Sequence, residues 1–201
     1  MKTHPMKTHL SILALTLSVS AAKADIGTAL DLCFDPELDL EGKVLGFVDA
    51  GWDVSLDMTV ADVALSHALL LSGLQPDAPD DWASSQERSV EIATNLRERR
   101  GYDTVTLVVN EAEAVVIEPN RSGLLTCLYV GPPSEMAAVA EVLEGGALTR
   151  IATEGPRTEM RGSPDFGTLQ AHAITQEAAQ SFPEPLSFAT TFTAISNRRR
   201  Q

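Results

Sequence analysis

The hydrophobic pattern changes its period near Gly101 and divides the chain into a helical part and a strand-rich part. Before Gly101, apolar residues recur at every third or fourth position, and this spacing predicts amphipathic helices. Glycines, an aspartate-proline pair and a Pro- and Asp-rich stretch separate the periodic segments. The pattern therefore predicts four helices, over residues 26–34, 36–50, 59–74 and 84–100.

Helical spacing also predicts which side chains of these helices face the core. The second helix is expected to point four apolar residues inward: Leu38, Val44, Leu45 and Val48. The fourth helix is expected to bury Val90, Ile92, Ala93 and Leu96. The end of the fourth helix, where positive charge suits the helix dipole, is expected to carry three outward-facing arginines, Arg97, Arg99 and Arg100.

After Gly101 the period falls to two, which is typical of strands. A three-strand meander is predicted over residues 104–109, 112–118 and 124–130. Both faces of its third strand are apolar, with Cys127 beside Leu125 and Tyr129 on one of them, so this strand is expected to be central. Further along, the pattern predicts a helix over 134–144 and strands over 147–153, 168–174 and 186–194.

These elements predict an α+β fold with a mostly antiparallel sheet of five to six strands. The N-terminal helices are expected to cover at least one face of this sheet. Residues 154–166 are rich in Gly, Pro and Arg and are expected to form a long loop, the first place to look for a functional site. Residues 25–201 are expected to form a single domain that ends in a short basic tail, Arg198-Arg199-Arg200.

Residues 1–24 have the features of a signal peptide that is removed on export. Lysines precede an apolar run, and Ala22-Lys23-Ala24 has the small-x-small pattern of a cleavage site. The apolar run is shorter than the roughly 20 residues that a membrane-spanning helix needs. A repeated Met-Lys-Thr-His leaves open whether translation starts at Met1 or Met6. The mature protein is expected in the periplasm or outside the cell, with no inserted segment.

Removal of this segment makes an acidic chain more acidic. Three lysines and no acidic residue leave with it, so the formal net charge falls from −13 to about −16. Lys43 is then the only lysine, and all other basic residues are arginines. So negative a surface is expected to repel nucleic acid and anionic membranes. Another periplasmic protein is therefore the expected kind of partner, and the oligomeric state stays open.

The mature chain has two cysteines, Cys33 and Cys127, and an oxidising compartment favours a disulfide between them. Both lie in apolar surroundings on predicted elements, which favours a structural bridge from the first helix to the central strand. A catalytic redox pair would more commonly have the C-x-x-C spacing. On the chain-entropy account, a bridge that closes so long a loop stabilises the fold by up to about 4–5 kcal/mol.

Two histidines remain in the mature chain, and neither belongs to a recognisable motif. His67 lies on the apolar face of the third helix and is expected to bond the backbone at the edge of the core. His172 lies on the polar side of a strand and is expected to face water or a groove. The acidic run DPELDLEG has the spacing of a calcium loop, but Val48 stands where a bidentate glutamate is required.

The motifs of several enzyme classes are absent. The chain has no G-x-S-x-G, no S-x-x-K pair and no H-E-x-x-H, and it lacks both glycine-rich nucleotide loops. A Ser-His-Asp triad or a pair of catalytic carboxylates stays open, because their members need not be adjacent in sequence. The sequence therefore assigns no catalytic residue, no cofactor and no metal ligand.

Cys33, the short helix that follows it, Gly51-Trp52 and the later Thr126-Cys127-Leu128 make the chain similar to a group of exported proteins. It resembles small exported proteins of unknown function from alphaproteobacteria. The shared features cover about the first thirty mature residues and one strand. The resemblance implies a periplasmic address and a helix-to-sheet disulfide, and it carries no activity.

Because no catalytic constellation is recognisable, the function predicted from the sequence is a non-enzymatic periplasmic interaction or binding module. One alternative is a small hydrolase that uses carboxylates or His172. Another is an inhibitor or immunity-type protein whose acidic face blocks a basic site. The three arginines of the tail are expected to lie in a solvated terminus. The alternative is that they bind a polyanion.

Overall fold

The computed structural model describes residues 26–120, 122–132, 136–144, 147–163 and 167–196, with backbone only for 147–150. The predicted signal peptide and the basic tail lie outside these residues. Six helices are described: α1 (Ile26–Phe34), α2 (Leu40–Asp49), α3 (Met58–Gly73), α4 (Trp82–Arg100), α5 (Ala137–Glu144) and α6 (Gln176–Gln180). Eight strands accompany them: β1 (Asp53–Ser55), β2 (Thr106–Asn110), β3 (Glu113–Pro119), β4 (Leu125–Gly131), β5 (Ala147–Glu154), β6 (Arg157–Ser163), β7 (Gly167–Ile174) and β8 (Thr190–Ser196).

All eight strands belong to one antiparallel sheet with the order β1-β2-β3-β4-β8-β7-β6-β5. The sheet consists of two four-strand meanders whose last strands, β4 and β8, pair at its centre. The α+β class and the central position of β4 are therefore confirmed. The predicted number of five to six strands was too low, because β1 has only three residues and β6 lies in the segment predicted to be a loop.

Helices cover both faces of the sheet. One face carries Cys127 and Tyr129 and packs against α1, α2 and α5; we call it the α1 face. The opposite face carries Leu128 and Val130 and packs against α3; we call it the α3 face. A strand buried on both sides reads as a continuous apolar run, as the sequence of β4 does.

The prediction of a loop over residues 154–166 is wrong for the residues up to Ser163. Gly155 and Pro156 form a tight turn, and the residues after them pair with both β5 and β7 as strand β6. Gly155 has a positive φ of 55°, a backbone conformation that glycine adopts without steric cost. β6 has charged residues on the α3 face, so the alternation of apolar and polar positions that predicts a strand was not recognised there. Residues 164–166 lie outside the described residues.

Lys43 explains why Leu45 and Val48 of α2 are exposed, although Val44 packs partly buried against the core as predicted. Its fully buried ammonium donates to the backbone carbonyls of Leu32, Cys33 and Asp35 at 2.7, 3.0 and 2.9 Å. These carbonyls lie at the end of α1, where backbone acceptors have no partner within the helix. Burial lowers the pKa of Lys43 to about 8, against the opposing effect of Asp35. The helix therefore turns Lys43 and Phe47 inward and leaves Leu45 and Val48 exposed.

The orientation of α4 differs from the predicted one, because an ion-pair network holds one of its arginines inside the fold. Arg97 was expected to face outward but is buried, and its Nη1 donates to Glu118 of β3 at 3.1 Å. Its Nε lies 3.5 Å from Asp62 of α3, which also accepts a hydrogen bond from the Tyr102 hydroxyl at 2.6 Å. With Arg97 and small residues turned inward, Val90 and Ile92 are exposed.

The disulfide between Cys33 of α1 and Cys127 of β4 is present, with Cα atoms 5.9 Å apart. Both residues are buried in the core on the α1 face. The predicted bridge from the first helix to the central strand is therefore confirmed.

Replacing Lys43 with methionine is expected to lower the free energy of unfolding by about 3 kcal/mol, because three carbonyls lose their donor. Urea unfolding at neutral pH measures this change. Arg88→Met, at an exposed position on α4, is the matched control and should change stability by less than about 0.5 kcal/mol. Equal, small effects of both substitutions would contradict the structural role of Lys43.

A thiol titration of the denatured, unreduced protein is expected to find no free thiol. Reduction should then lower the free energy of unfolding by up to about 4–5 kcal/mol, since the unfolded chain regains the freedom that the bridge removes. Two free thiols in freshly exported protein would contradict the bridge.

Candidate functional site

His172 is buried on β7, beneath the end of α3, whereas the sequence predicted that it faces water or a groove. The prediction that His172 lies on the polar side of the strand is correct, but Arg157 and the end of α3 cover that side. Arg157 of β6 bonds both the ring Nδ1 of His172, at 3.1 Å, and the carbonyl of Ser72 in α3, also at 3.1 Å. The ring Nε2 lies 2.9 Å from the side-chain amide of Gln170.

These partners define the state of the ring. A guanidinium only donates, so Nδ1 of His172 accepts from Arg157 and carries no proton. A neutral ring then carries its proton on Nε2, where the amide nitrogen of Gln170 lies as placed; turning that amide by 180° brings its oxygen to the proton as the acceptor. Burial, assisted by the charge of Arg157 and opposed by Glu159, lowers the pKa of His172 to about 4. With both nitrogens engaged, His172 gives no support to the hydrolase hypothesis.

His67 lies on α3 in the wall of a cleft of about 220 Å³ between α3, α4 and residues 184–187. Its Nδ1 donates to the carbonyl of Val63 at 2.8 Å, so the predicted backbone bond is confirmed. Burial lowers the pKa of His67, against the effect of that bond. The ring also contacts Phe188 edge to face, with centroids 5.5 Å apart.

The same cleft contains hydroxyl groups and an acid, but they are not arranged as a triad. The hydroxyls of Ser66 and Ser89 donate to carbonyls of their own helices at 2.8 and 2.7 Å. Glu184 is exposed at the mouth, where its carbonyl accepts a hydrogen bond from Gln86. Of these bonds, the one from Gln86 joins α4 to the loop before β8, and the others lie within a single helix; the Nε2 of His67 is buried without a hydrogen-bond partner among the described residues.

The acidic run before α2 serves helix capping. Asp39 accepts a hydrogen bond from the backbone of Gly42 at 2.9 Å, and Asp35 accepts from Glu37 at 2.8 Å. Asp39 is thus the N-cap of α2, which begins later than the sequence predicted. Within the described ranges, no group of three His, Cys, Asp or Glu side chains is placed to hold a metal ion.

Charge is distributed very unevenly along the chain. Residues 26–87 contain thirteen acidic residues and one basic residue, Lys43, whose ammonium points into the core. All eleven arginines follow from Arg88 onward. The segment that forms α1, α2, β1 and α3 therefore has a strongly negative net charge.

Within this acidic part lies a group of exposed apolar side chains, which we call the β1 edge surface. It consists of Leu45 and Val48 of α2, Val54 of β1 and Leu56 after it. Their exposed fractions are 55%, 44%, 50% and 91%. Contiguous apolar exposure is uncommon on a monomer and marks a site of interaction.

The geometry of α2 makes this surface continuous. A Cβ at Gly46 would come within 2.5 Å of Leu32, so that side of α2 lies against α1. Val48 is roughly 200° away around the helix axis, on the side of α2 opposite α1, and is exposed. Val54 pairs with Val108, which lies on the α1 face, so its side chain is on the same face as α2. The apolar residues of α2 and β1 therefore meet along one edge.

β1 is the outermost strand of the described sheet on this side, and it pairs with β2 alone. An edge strand presents unpaired N–H and C=O groups that can accept a further strand. The sequence reading missed this surface, because it assigned Leu45 and Val48 to the core and did not recognise so short a strand. The available signal was the alternation Asp53, Val54, Ser55, Leu56, Asp57.

No helix in the described part of the chain is both long and apolar enough to span a bilayer.

Stability is expected to decrease as the pH falls from 6.5 to about 4, because the unfolded chain takes up a proton that folded His172 does not bind. The shift corresponds to a loss of about 3 kcal/mol. Urea unfolding across this range should show a shallower pH dependence for His172→Gln than for the unchanged protein. His67→Gln is the control, with a smaller effect expected. An unchanged slope in His172→Gln would contradict the buried neutral ring.

Comparisons with protein-family models, with curated proteins and with solved structures find no match to this chain.

Proposed function

We propose that the mature chain is an exported, non-enzymatic interaction module that binds another periplasmic protein through the β1 edge surface. The observation that carries this proposal is the apolar group Leu45, Val48, Val54 and Leu56 beside β1, whose outer side pairs with no strand of the described residues. Exposed apolar side chains gain free energy when a partner removes them from water. The free backbone groups of β1 add directional hydrogen bonds to that contact.

The disulfide supports the proposed location. A buried bridge between Cys33 and Cys127 suits an oxidising compartment and is uncommon in the cytosol. The signal-peptide features of residues 1–24 point to the same compartment. The periplasm, or the space outside the cell, is therefore the place where the partner is to be sought.

The roles of the chemically reactive side chains favour binding over catalysis. His172 is neutral and bonded at both nitrogens, and the hydroxyls near His67 bond their own helices. Asp35 and Asp39 bond backbone amides, while Glu118 and Glu159 pair with arginines. These contacts contribute to the fold, whereas the β1 edge surface has no such role.

The inhibitor or immunity-type alternative is a more specific form of the same proposal. It is favoured by the segregation of charge, which places thirteen acidic residues and one inward-pointing lysine in residues 26–87. A negative surface of this kind steers a positively charged partner toward it. An inhibitor would abolish the activity of its bound partner, whereas an adaptor would leave that activity unchanged.

A photo-cross-linking residue placed at Val54 is expected to join the chain to one discrete partner in the periplasm of producing cells. The same residue at Val90 on α4, which is 52% exposed, is the matched control and should join to none. Mass spectrometry of the joined peptides identifies the partner. Val48→Glu should abolish the Val54 product without changing thermal unfolding, since Val48 is exposed and outside the core.

Two results would overturn the proposed function. One is an equal set of products from Val54 and Val90, which would show that the β1 edge surface is not selective. The other is a Val54 product that consists only of two copies of this chain.

A further inference from the structure

The register of β1 defines two kinds of contact for any strand that pairs with it. Val54 pairs with Val108 and lies on the α1 face, next to the exposed side of α2. Asp53 pairs with Val109 and Ser55 with Leu107, so both lie on the α3 face. Side chains alternate between faces along a strand, so an added strand would meet apolar residues with every second side chain.

The polar side of this edge is negative. Asp53 is exposed on β1, Asp49 is exposed at the end of α2, and Asp57 is exposed just before α3. The only basic residue within residues 26–87 is Lys43, and its ammonium donates to three carbonyls inside the fold. No neighbouring cation of that segment therefore neutralises these carboxylates.

Resting on the proposed function, we propose that the partner supplies an extended segment that alternates apolar and basic residues and pairs with β1 as a ninth strand. Its apolar side chains cover Val54, Val48 and Leu45 on the α1 face. Its lysines or arginines lie on the other face and beside the ends of β1, near Asp53 and Asp57. Backbone hydrogen bonds give the contact its direction, and the alternation gives it specificity.

Charge and geometry disfavour the other occupants. A second copy paired through the same edge would bring Asp49 and Asp53 of each chain close to those of the other, which costs free energy. Anionic lipid and nucleic acid meet the same repulsion. A helix laid on α2 would cover Leu45 and Val48 but would leave the outer backbone groups of β1 unpaired.

The short length of β1 sets the strength of the contact. Three residues allow only a short ladder, so the charges and the apolar cover of α2 must contribute to the affinity. Exposed charge pairs are screened within about 10 Å at 0.1 M salt, so binding should weaken as salt is added. The apolar part of the contact is not weakened in this way.

The test measures binding of short fluorescent peptides to the mature, oxidised protein by anisotropy. A peptide that alternates valine and lysine is expected to bind, and one that alternates valine and glutamate is expected not to bind. Two further controls keep the valine-lysine composition: one places the residues at helical spacing, and one methylates the backbone amides. Both should bind at least roughly tenfold more weakly, because neither can form the ladder.

Variants locate the site on the protein. Asp53→Lys and Asp49→Lys should each weaken binding of the valine-lysine peptide roughly fivefold at low salt. This effect should be smaller at high salt. Val48→Glu should weaken binding by a similar or larger factor, whereas Val90→Glu on α4 should leave it unchanged. Circular dichroism and thermal unfolding of each variant verify that it is folded.

Equal binding of the lysine and glutamate peptides, or of the strand-forming and methylated peptides, would overturn this inference. So would binding that Val90→Glu weakens as much as Val48→Glu does. If Val54 still cross-links to a single partner in cells while no basic peptide binds, the inference fails and the proposed function stands. If cross-linking at Val54 is unselective as well, both fail.

Discussion

The structure depends on the junction at Cys33, where one residue joins three elements. Its sulfur is bonded to Cys127 in β4, the central strand of the sheet. Its carbonyl, with those of Leu32 and Asp35, accepts a hydrogen bond from the ammonium of Lys43 in α2. The covalent bond holds α1 on the sheet, and the buried ammonium holds α2 on α1. A buried ammonium is costly unless it is fully bonded, so this arrangement strongly selects one orientation of α2.

That orientation determines which surface the protein presents. With Lys43 and Phe47 inward and Gly46 against Leu32, Leu40 and Val44 pack partly buried against the core, and Leu45 and Val48 are left exposed. They come to lie beside β1, and with Val54 and Leu56 they form the β1 edge surface. The surface is therefore a consequence of how the core is built; it lies on α2, which Lys43 holds on α1, and on β1, which pairs with β2. A preorganised surface of this kind loses little conformational entropy when it binds a partner.

Arg97, Arg157 and His172 are engaged in contacts that hold the fold. Arg97 connects α4 with α3 and β3, and Arg157 connects β6 with the end of α3 and with His172. Bonds of this kind between distant elements favour one arrangement of those elements over others. What remains at the surface is an acidic half with an apolar edge, a combination suited to recognition of a basic and partly apolar partner.

The elements that could be predicted from the sequence are those set by local patterns of apolar and polar residues. Period-3.6 spacing located α1 and α3, and the doubly apolar run around Cys127 located β4 at the centre, because these signals act within a few residues. The disulfide was predicted because the chain has only two cysteines and its N-terminal segment predicts export. Only the tertiary structure decided that Lys43 and Arg97 are buried, that His172 is neutral, and that residues after Gly155 form a strand. Each of these depends on partners distant in the chain or on neighbouring strands, so a local pattern could not reveal it. The β1 edge surface belongs to the same class, since Leu45 and Val48 are exposed only because Lys43 occupies the inner side of α2.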